Sequence, residues 1–597
     1  MSSTSENEEY IDPTQYTDIY HKDYVPGTIN ILLEKIDEET GPGTGLKTSK
    51  NGMILMPQPS DSPNDPLNWS YLRKTWHFFL MAYITAFTAA TSNMAGAASD
   101  YFLDNFNISY NQQNTGAGVL FLGIGWGTLF LAPFANLYGR KISYLICITL
   151  GLFGALWFGV TNDASDAIWS QLFVGISESC AEAQVQLSLS DIFFQHQLGS
   201  VLTVYIMATS IGTFLGPLIA GYIADLTWFR WAGFTALIIS FGTLVVFVVG
   251  CEETYFDRSL YKTGLSVFKS RETYGMMELD GIVMKDDTVV SVEEKEKEKD
   301  KKPSDLQNVL SQVYSNTNDN VDEYAKDNLD LIDGSTEKIK SYWKRMAIIT
   351  PASNLRGWGF KQYFQYLLLN IKMFAFPAVW LSGIFWGWQD VLLSFYLTIE
   401  EDNYYDPPWN YSDAAVAIMN VPTLIGAVIG CLYAGILSDY FVVWLSKKRG
   451  GIYECEYRLW FSIAVFFISP AGLLMFGIAS AKNFTNWRCA YVGLGLIGFG
   501  WGCAGDIAMA YLMDAYPEMV LEGMVCTSLI NNNLACIFTF TCSDWLSASG
   551  LQNTFIALAV LTAFFTFLAW PMYIYGKRAR KWSKDRYVAC IALRDGF

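Results

Sequence analysis

Histidine is nearly absent, with three in 597 residues, and none joins cysteine, aspartate or glutamate at metal-ligand spacing. No metal site is therefore expected. The eleven cysteines include no C-x-x-C pair and fall mostly inside apolar stretches. They read as small packing residues, and neither a disulfide framework nor a zinc site is suggested. Positive charge is scarce as well: a formal net charge of −17 argues against a nucleic-acid partner. No nucleophile–base pattern or phosphate-cradling loop is present, which argues against an enzyme, and no cofactor is called for. Residues 1–74 lack the apolar core behind a basic start that a cleavable signal peptide needs.

What the chain has in abundance is apolar runs of membrane length. They lie at about 76–98, 115–136, 142–161, 167–190, 200–225, 232–251, 375–398, 412–438, 458–480, 487–512, 520–543 and 550–576. The fold expected is an all-α membrane protein of twelve transmembrane helices in two six-helix halves. A polar, disordered arm (1–74) precedes the first half (75–251). A central loop (252–374), with the low-complexity run EEKEKEKDKK at 293–302, precedes the second half (375–576). A basic tail (577–597) follows. Within the central loop, Leu355–Lys372 mixes aromatic, apolar and lysine residues as an interfacial helix would.

Orientation follows from lysine and arginine. Arg140–Lys141, Lys447–Arg449 and the run from Lys577 to Arg586 share one side, and only Arg230, Lys482 and Arg488 fall on the other. Both termini are thus expected in the cytoplasm. The glycosylation sequons at Asn107, Asn410 and Asn483 all fall in the expected outside loops, although Asn68 does not.

The chemistry centres on the fourth span, WSQLFVGISESCAEAQVQLSLSD (Trp169–Asp191). It is long enough to cross a bilayer, yet Glu178 and Glu182 sit near its middle, where each charge costs at least ~2.5–3.5 kcal/mol on insertion scales. At ~100° per residue, Gln171, Gly175, Glu178, Glu182 and Gln186 share one stripe. Two carboxylates one turn apart repel each other, a conflict that a cation or a shared proton relieves. A structural hydrogen bond to a neighbouring helix is the plainer alternative. The seventh span, WLSGIFWGWQDVLLSFY (Trp380–Tyr396), sets Asp390 one turn from Trp386, with Trp380 and Trp388 nearby. A carboxylate beside indole faces suits a protonated amine. Asp506 lies in the glycine-rich tenth span with Trp501, and Asn531–Asn533 in the eleventh either orient ligand or join helices. The loop Glu400–Asp413 is acidic and lacks lysine and arginine, so it would concentrate cations.

The halves echo one another. SLSDIF closes the fourth span and YLMDAY the tenth, aligning Asp191 with Asp514. FANLYGRK after the second span answers AGILSDYF after the eighth, setting Asn136 and Arg140 against Asp439. Capping or gating is expected of these span-end residues. Repeats of this kind place substrate at their interface near the midplane.

GTFLGPLIAG (Gly212–Gly221) resembles the G-x-x-x-G-P-x-x-[GA]-G signature of antiporter branches of the major facilitator superfamily. Gly212 and Gly216 allow close helix contact and Pro217 kinks the span. Asn136, Gly139, Arg140 and Lys141 partly meet that superfamily's loop motif, with Asn where Asp is usual. NDPLNWSYLRK before the first span and EETYFDR after the sixth resemble the fungal drug:proton antiporter branch. Gly175–Tyr205, the seventh span and Gly505–Val525 resemble fungal plasma-membrane permeases for polyamines and histidinol. Many relatives carry Arg where this chain has Gln171, which suits a cationic substrate and shifts any proton coupling to Glu178 or Glu182.

The resemblance implies a monomeric plasma-membrane carrier that takes up polyamines or related organic cations by alternating access, with protons as coupling ions. Glu178, Glu182, Asp390, Asp506, Trp386 and Gln186 are the expected substrate contacts. An exporter of cationic drugs or polyamines is the alternative within the class, and a nutrient sensor that signals through the central loop is the alternative outside it.

Overall fold

The computed structural model describes residues 21–30, 47, 55, 57–261, 332–405, 407–482 and 487–595. The run at 293–302, Asn483 and most of the N-terminal arm lie outside the described residues. Contacts separate two units, one within Met1–Leu33, Tyr71–Tyr255 and Tyr342–Phe597, the other within Glu34–Ser70 and Phe256–Ser341.

In the first unit a helix occupies each of the twelve expected spans. They are α1 (Tyr71–Ser92), α2 (Tyr110–Leu137), α3 (Arg140–Gly159), α4 (164–192), α5 (Gln195–Leu226) and α6 (Arg230–Gly250). The second half has α7 (Pro377–Asn403), α8 (Ala414–Lys448), α9 (Ser462–Ala481), α10 (Trp487–Ala515), α11 (Val520–Ser549) and α12 (Leu551–Phe567). Among the described residues nine helices are long and apolar enough to cross a membrane. A tenth is the pair Phe360–Ala375 and Pro377–Glu400, bent by 86°. The two further expected spans are α1, whose first two turns carry Arg73, Lys74 and His77, and α4, which carries the two glutamates. Their polar residues dilute the apolar signal and turn inward: His77, Thr85, Thr88, Gln171 and Glu178 are all buried.

Helix contacts follow the small residues. An added Cβ at Gly212 or Gly216 would stand 2.1 or 2.4 Å from the carbonyl oxygens of Ala86 and Ala90, so this stretch seats α5 on α1. Gly175 likewise seats α4 on Leu120 of α2. The halves meet where α2 packs on α11 and α5 on α8. The helix Phe360–Lys372 exposes Phe360, Phe364, Leu368 and Ile371. It ties back through Tyr363 Oη, which donates to Phe130 O at 3.0 Å.

Patterning did not signal the structure at the terminal end of the bundle. Within the arm expected to be disordered, β1 (Thr28–Asn30) pairs antiparallel with β2 (Ile452–Glu454), Thr28 opposite Glu454. Gly27, at φ +70°, passes within a Cβ's reach of Asp514 O, a place only glycine fits. The tail is helical (Ala569–Asp595) and buries Arg580, 1% exposed, against Glu456, 2% exposed. Arg580 Nε donates to Glu456 Oε1 at 2.8 Å, and its Nη1 reaches Thr28 Oγ1 at 3.2 Å and the carbonyl of Pro26. Arg580→Met would strand a buried carboxylate. The expected loss is about 3–5 kcal/mol, read as a lower Tm of the purified protein. Lys577→Met, which breaks a half-exposed pair with Glu454, should change stability by less than about 1 kcal/mol. Equal shifts would show that burial does not distinguish the two pairs.

In the second unit, the segments NDPLN and FDR meet: Arg258 Nη2 lies 3.0 Å from Asp65 Oδ1. Glu337 accepts from Ser62, Asn64 and Tyr261. Burial works to raise this carboxyl, and those hydrogen bonds outweigh it, so Glu337 sits below its ordinary range.

Candidate functional site

The fourth span is not one continuous α-helix. Ala164–Ser179 and Val185–Ile192 are joined by a π-helical turn, Cys180–Gln184, with Glu182 at its centre. Val185 N–H reaches back five residues to Cys180 O, and the Tyr205 hydroxyl of α5 donates to Ala181 O at 2.7 Å. A side chain from another helix thus takes part in holding the widened turn. Such turns mark functional sites often enough to be informative. The turn also corrects the expected stripe, which assumed 100° per residue throughout. Gln171, Glu178 and Gln186 are buried while Glu182 is only half-buried.

Ser92 of α1 lies near Glu178, and Ser528 of α11 lies near Glu182. Glu182 also lies within electrostatic range of both Glu178 and Asp390. Asp390, on α7, is buried. Its Oδ1 accepts from Trp501 Nε1 of α10 at 2.9 Å, and the Asn531 side chain of α11, nearby, makes no hydrogen bond among the described residues. Three carboxylates, two from the first half and one from the second, therefore converge.

Aromatic rings line this meeting point. The Trp501 ring lies 5.0 Å from Trp386 and 5.7 Å from Phe214. Trp386 lies so closely on Gly505 that an added Cβ would stand 1.4 Å from the ring. Buried polar atoms without a partner, among the described residues, include both amide atoms of Gln184, Gln186 Oε1, Trp386 Nε1 and Gln389 Oε1. Gln186 Nε2 faces Met509 Sδ of the other half at 3.6 Å. Each unmet polar atom costs about 1–3 kcal/mol, a cost that a polar group from outside the chain would relieve.

Two expectations change. Asp506 does not join the carboxylate group. It lies five residues beyond Trp501, about 7.5 Å along the helix axis. There Thr203 Oγ1 stands 3.4 Å away, and Arg458 and Asp439 are in electrostatic range. Of the other tryptophans, Trp388 faces α12, donating to Thr562 Oγ1 at 2.8 Å, and Trp380 is 46% exposed at the start of α7. Neither lines the site. Trp501, the direct donor to Asp390, was visible in the sequence only as a residue of the same span as Asp506. Tyr205, Ser528 and Arg458 carried no pattern at all.

The span-end residues form two related clusters. Arg458 Nη1 lies 2.6 Å from Asp439 and its Nε 2.6 Å from Asp514. In the first half Arg140 Nε lies 3.2 Å from Asp191. Asn136 supplies no counterpart to the Asp439 carboxylate. Arg140 instead donates to Ala135 O at 2.9 Å and faces the Tyr255 ring at 5.0 Å. Glu253 accepts the backbone N–H groups of Arg140 and Lys141 at 2.9 and 3.1 Å, where Gly139 (φ +97°) leaves room. At the opposite end Asn107 and Asn410 are exposed at left-handed backbone positions, φ 55° and 46°.

Residues 79–538 match the family described as Major Facilitator Superfamily. Protein HOL1 of Saccharomyces cerevisiae is 61% identical over 590 residues, covering 98% of this chain and 100% of its own. The MFS-type transporter C1271.10c of Schizosaccharomyces pombe is 44% identical over 578 residues, covering 96% and 95%. The probable drug/proton antiporter YHK8 of S. cerevisiae is 21% identical over 532 residues, covering 86% and 87%. With a helix in each expected span, two echoing halves and a family match over most of its length, the chain belongs to the major facilitator superfamily and is a multi-pass membrane transporter.

Proposed function

We propose that this transporter carries polyamines and related organic cations across the plasma membrane, inward and with protons as the coupling ion. The observation that carries this reading is the convergence of Glu178, Glu182 and Asp390 from both halves beside Trp501 and Trp386. A linear amine with several charges gives each ammonium its own carboxylate, and indole faces attract what lies between. Because the carboxylates come from separate halves, binding biases the two halves toward each other, as alternating access requires. Glu178 and Glu182 are the proposed proton carriers, since protonation of the pair replaces the departing cation. Asp506, with Thr203 beside it, serves a second amine position nearer the Arg458 cluster. Gly212, Gly216 and Pro217 hold α5 to α1 as that half moves, and the Arg140–Asp191 and Arg458–Asp439–Asp514 clusters act as latches at the span ends.

The working arrangement is a monomer with both termini in the cytoplasm and glycans at Asn107, Asn410 and Asn483. The exposure of Asn107 and Asn410 supports this orientation. Export is the second reading, favoured by the relative named as a probable drug/proton antiporter.

Labelled spermidine supplied to cells with and without the protein tests both readings. Saturable accumulation, raised by external acid and at least about tenfold over control, is expected. Accelerated loss of preloaded spermidine would establish export instead. No difference in either direction would end the polyamine reading.

A further inference from the structure

Glu400 opens the acidic stretch Glu400–Asp413, which was expected to concentrate cations as a loop. Glu400 is instead 1% exposed within α7 and lines a cavity between the halves. The first half contributes Asn93, Gly96, Pro217 and Gly221 to its wall, and the second adds Tyr405 and Asn420. Asn420 is 3% exposed. Its Nδ2 donates to Ala417 O at 3.5 Å, and its Oδ1 is a buried acceptor with no partner among the described residues. Gly96 and Gly221 remove side-chain bulk from the facing wall. Glu400 follows Asp390 by ten residues, about 15 Å along the helix, so one ammonium group cannot serve both carboxylates.

We propose that this cavity is an outer ammonium site, occupied by an amine of the incoming substrate before it reaches Glu178, Glu182 and Asp390. Glu400 supplies the counter-charge and Asn420 Oδ1 accepts an N–H. The assignment rests on the organic-cation reading above. A carboxylate beside amide oxygens suits an ammonium with several N–H donors. A small inorganic cation shares part of that chemistry, and the test separates the two. Glu400 and Asn420 both belong to the second half, so they stay together when the halves part at this end and the cavity opens to incoming substrate.

The experiment measures spermidine uptake kinetics at matched surface abundance. Glu400→Gln is expected to raise KM about tenfold with the maximal rate within about twofold, the pattern of lost binding outside the rate-limiting step. Asn420→Asp in the Glu400→Gln background returns a carboxylate to the same cavity and should recover most of the lost affinity. A merely structural Glu400 would not be rescued that way. Should Glu400→Gln fail to reach the surface, Asn420→Leu should still raise KM. The proposal is overturned by an unchanged KM, by a fall in maximal rate alone, or by a double variant no better than Glu400→Gln. If sodium or potassium chloride at constant ionic strength (balanced with choline) competes with spermidine in the wild type but not in Glu400→Gln, the site holds an inorganic cation and the ammonium assignment falls. If Glu182→Gln abolishes uptake while Glu400→Gln leaves KM unmoved, only the outer site is lost. If wild-type cells show no spermidine transport, the organic-cation reading fails first.

Discussion

Glu182→Gln is expected to abolish measurable spermidine transport while the protein reaches the surface in normal amounts. The amide keeps the size of the side chain and its place in the π-helical turn, so the backbone arrangement of Val185, Cys180 and Tyr205 survives. What disappears is a charge within range of both Glu178 and Asp390. Truncating one partner of a buried, hydrogen-bonded charge pair costs about 2–5 kcal/mol, which corresponds to a fall in kcat/KM of about 30- to several-thousand-fold. Glu178→Gln should weaken transport less predictably, because removing one of two neighbouring carboxylates also changes the proton affinity of the other. Uptake in cells, normalised to surface protein, is the measurement. Wild-type kinetics in both variants would remove Glu178 and Glu182 from the substrate path.

The twelve helices were legible because apolar runs of fixed length bounded by charged loops have few other physical outcomes. Glu178, Glu182 and Asp390 were legible for the complementary reason, since an acid deep in an apolar run calls for an explanation. Asp506 was expected to share their site. Asp506 looked equivalent to Asp390 in the sequence, yet a helix distributes residues around its axis as well as along it. The structure gives Asp506 to Thr203 and the vicinity of Arg458. The π-helical turn was hidden because a tertiary contact takes part in holding it, the Tyr205 hydroxyl of α5 on Ala181 O.

Charge counting also had a hidden side. Arg140, Lys141 and Arg580 entered the orientation argument as surface cations, but all three are buried. Lys141 Nζ donates to Val248 O and Met346 O at 2.8 and 2.9 Å. They hold loops and termini together at the bundle's terminal end, which a one-dimensional count cannot distinguish from attraction to lipid headgroups. Glu400 is the converse case. Glu400 was read as the start of a cation-concentrating loop, whereas the helix runs through it and turns it between the halves.

Asp390→Asn should change which cation is carried more than how much protein is active. Asparagine retains a side-chain oxygen able to accept from Trp501 Nε1, so the 2.9 Å hydrogen bond and the packing of Trp501 on Trp386 and Phe214 are preserved. The charge is lost from the second half alone. A triamine that spans both halves loses one of its partners, at about 2 kcal/mol or more for a buried pair. Its kcat/KM should therefore fall by at least about 30-fold. Butylamine, held as a single ammonium by Glu178 and Glu182, should lose less than about threefold. Measuring both substrates in the same cells cancels expression, and the ratio of the two kcat/KM values is the readout. Trp501→Phe, which keeps the carboxylate and removes its donor, should affect spermidine more mildly than Asp390→Asn. If Asp390→Asn reduced both substrates by one factor, Asp390 would serve folding or proton movement, and a substrate bridging the two halves would have to be abandoned.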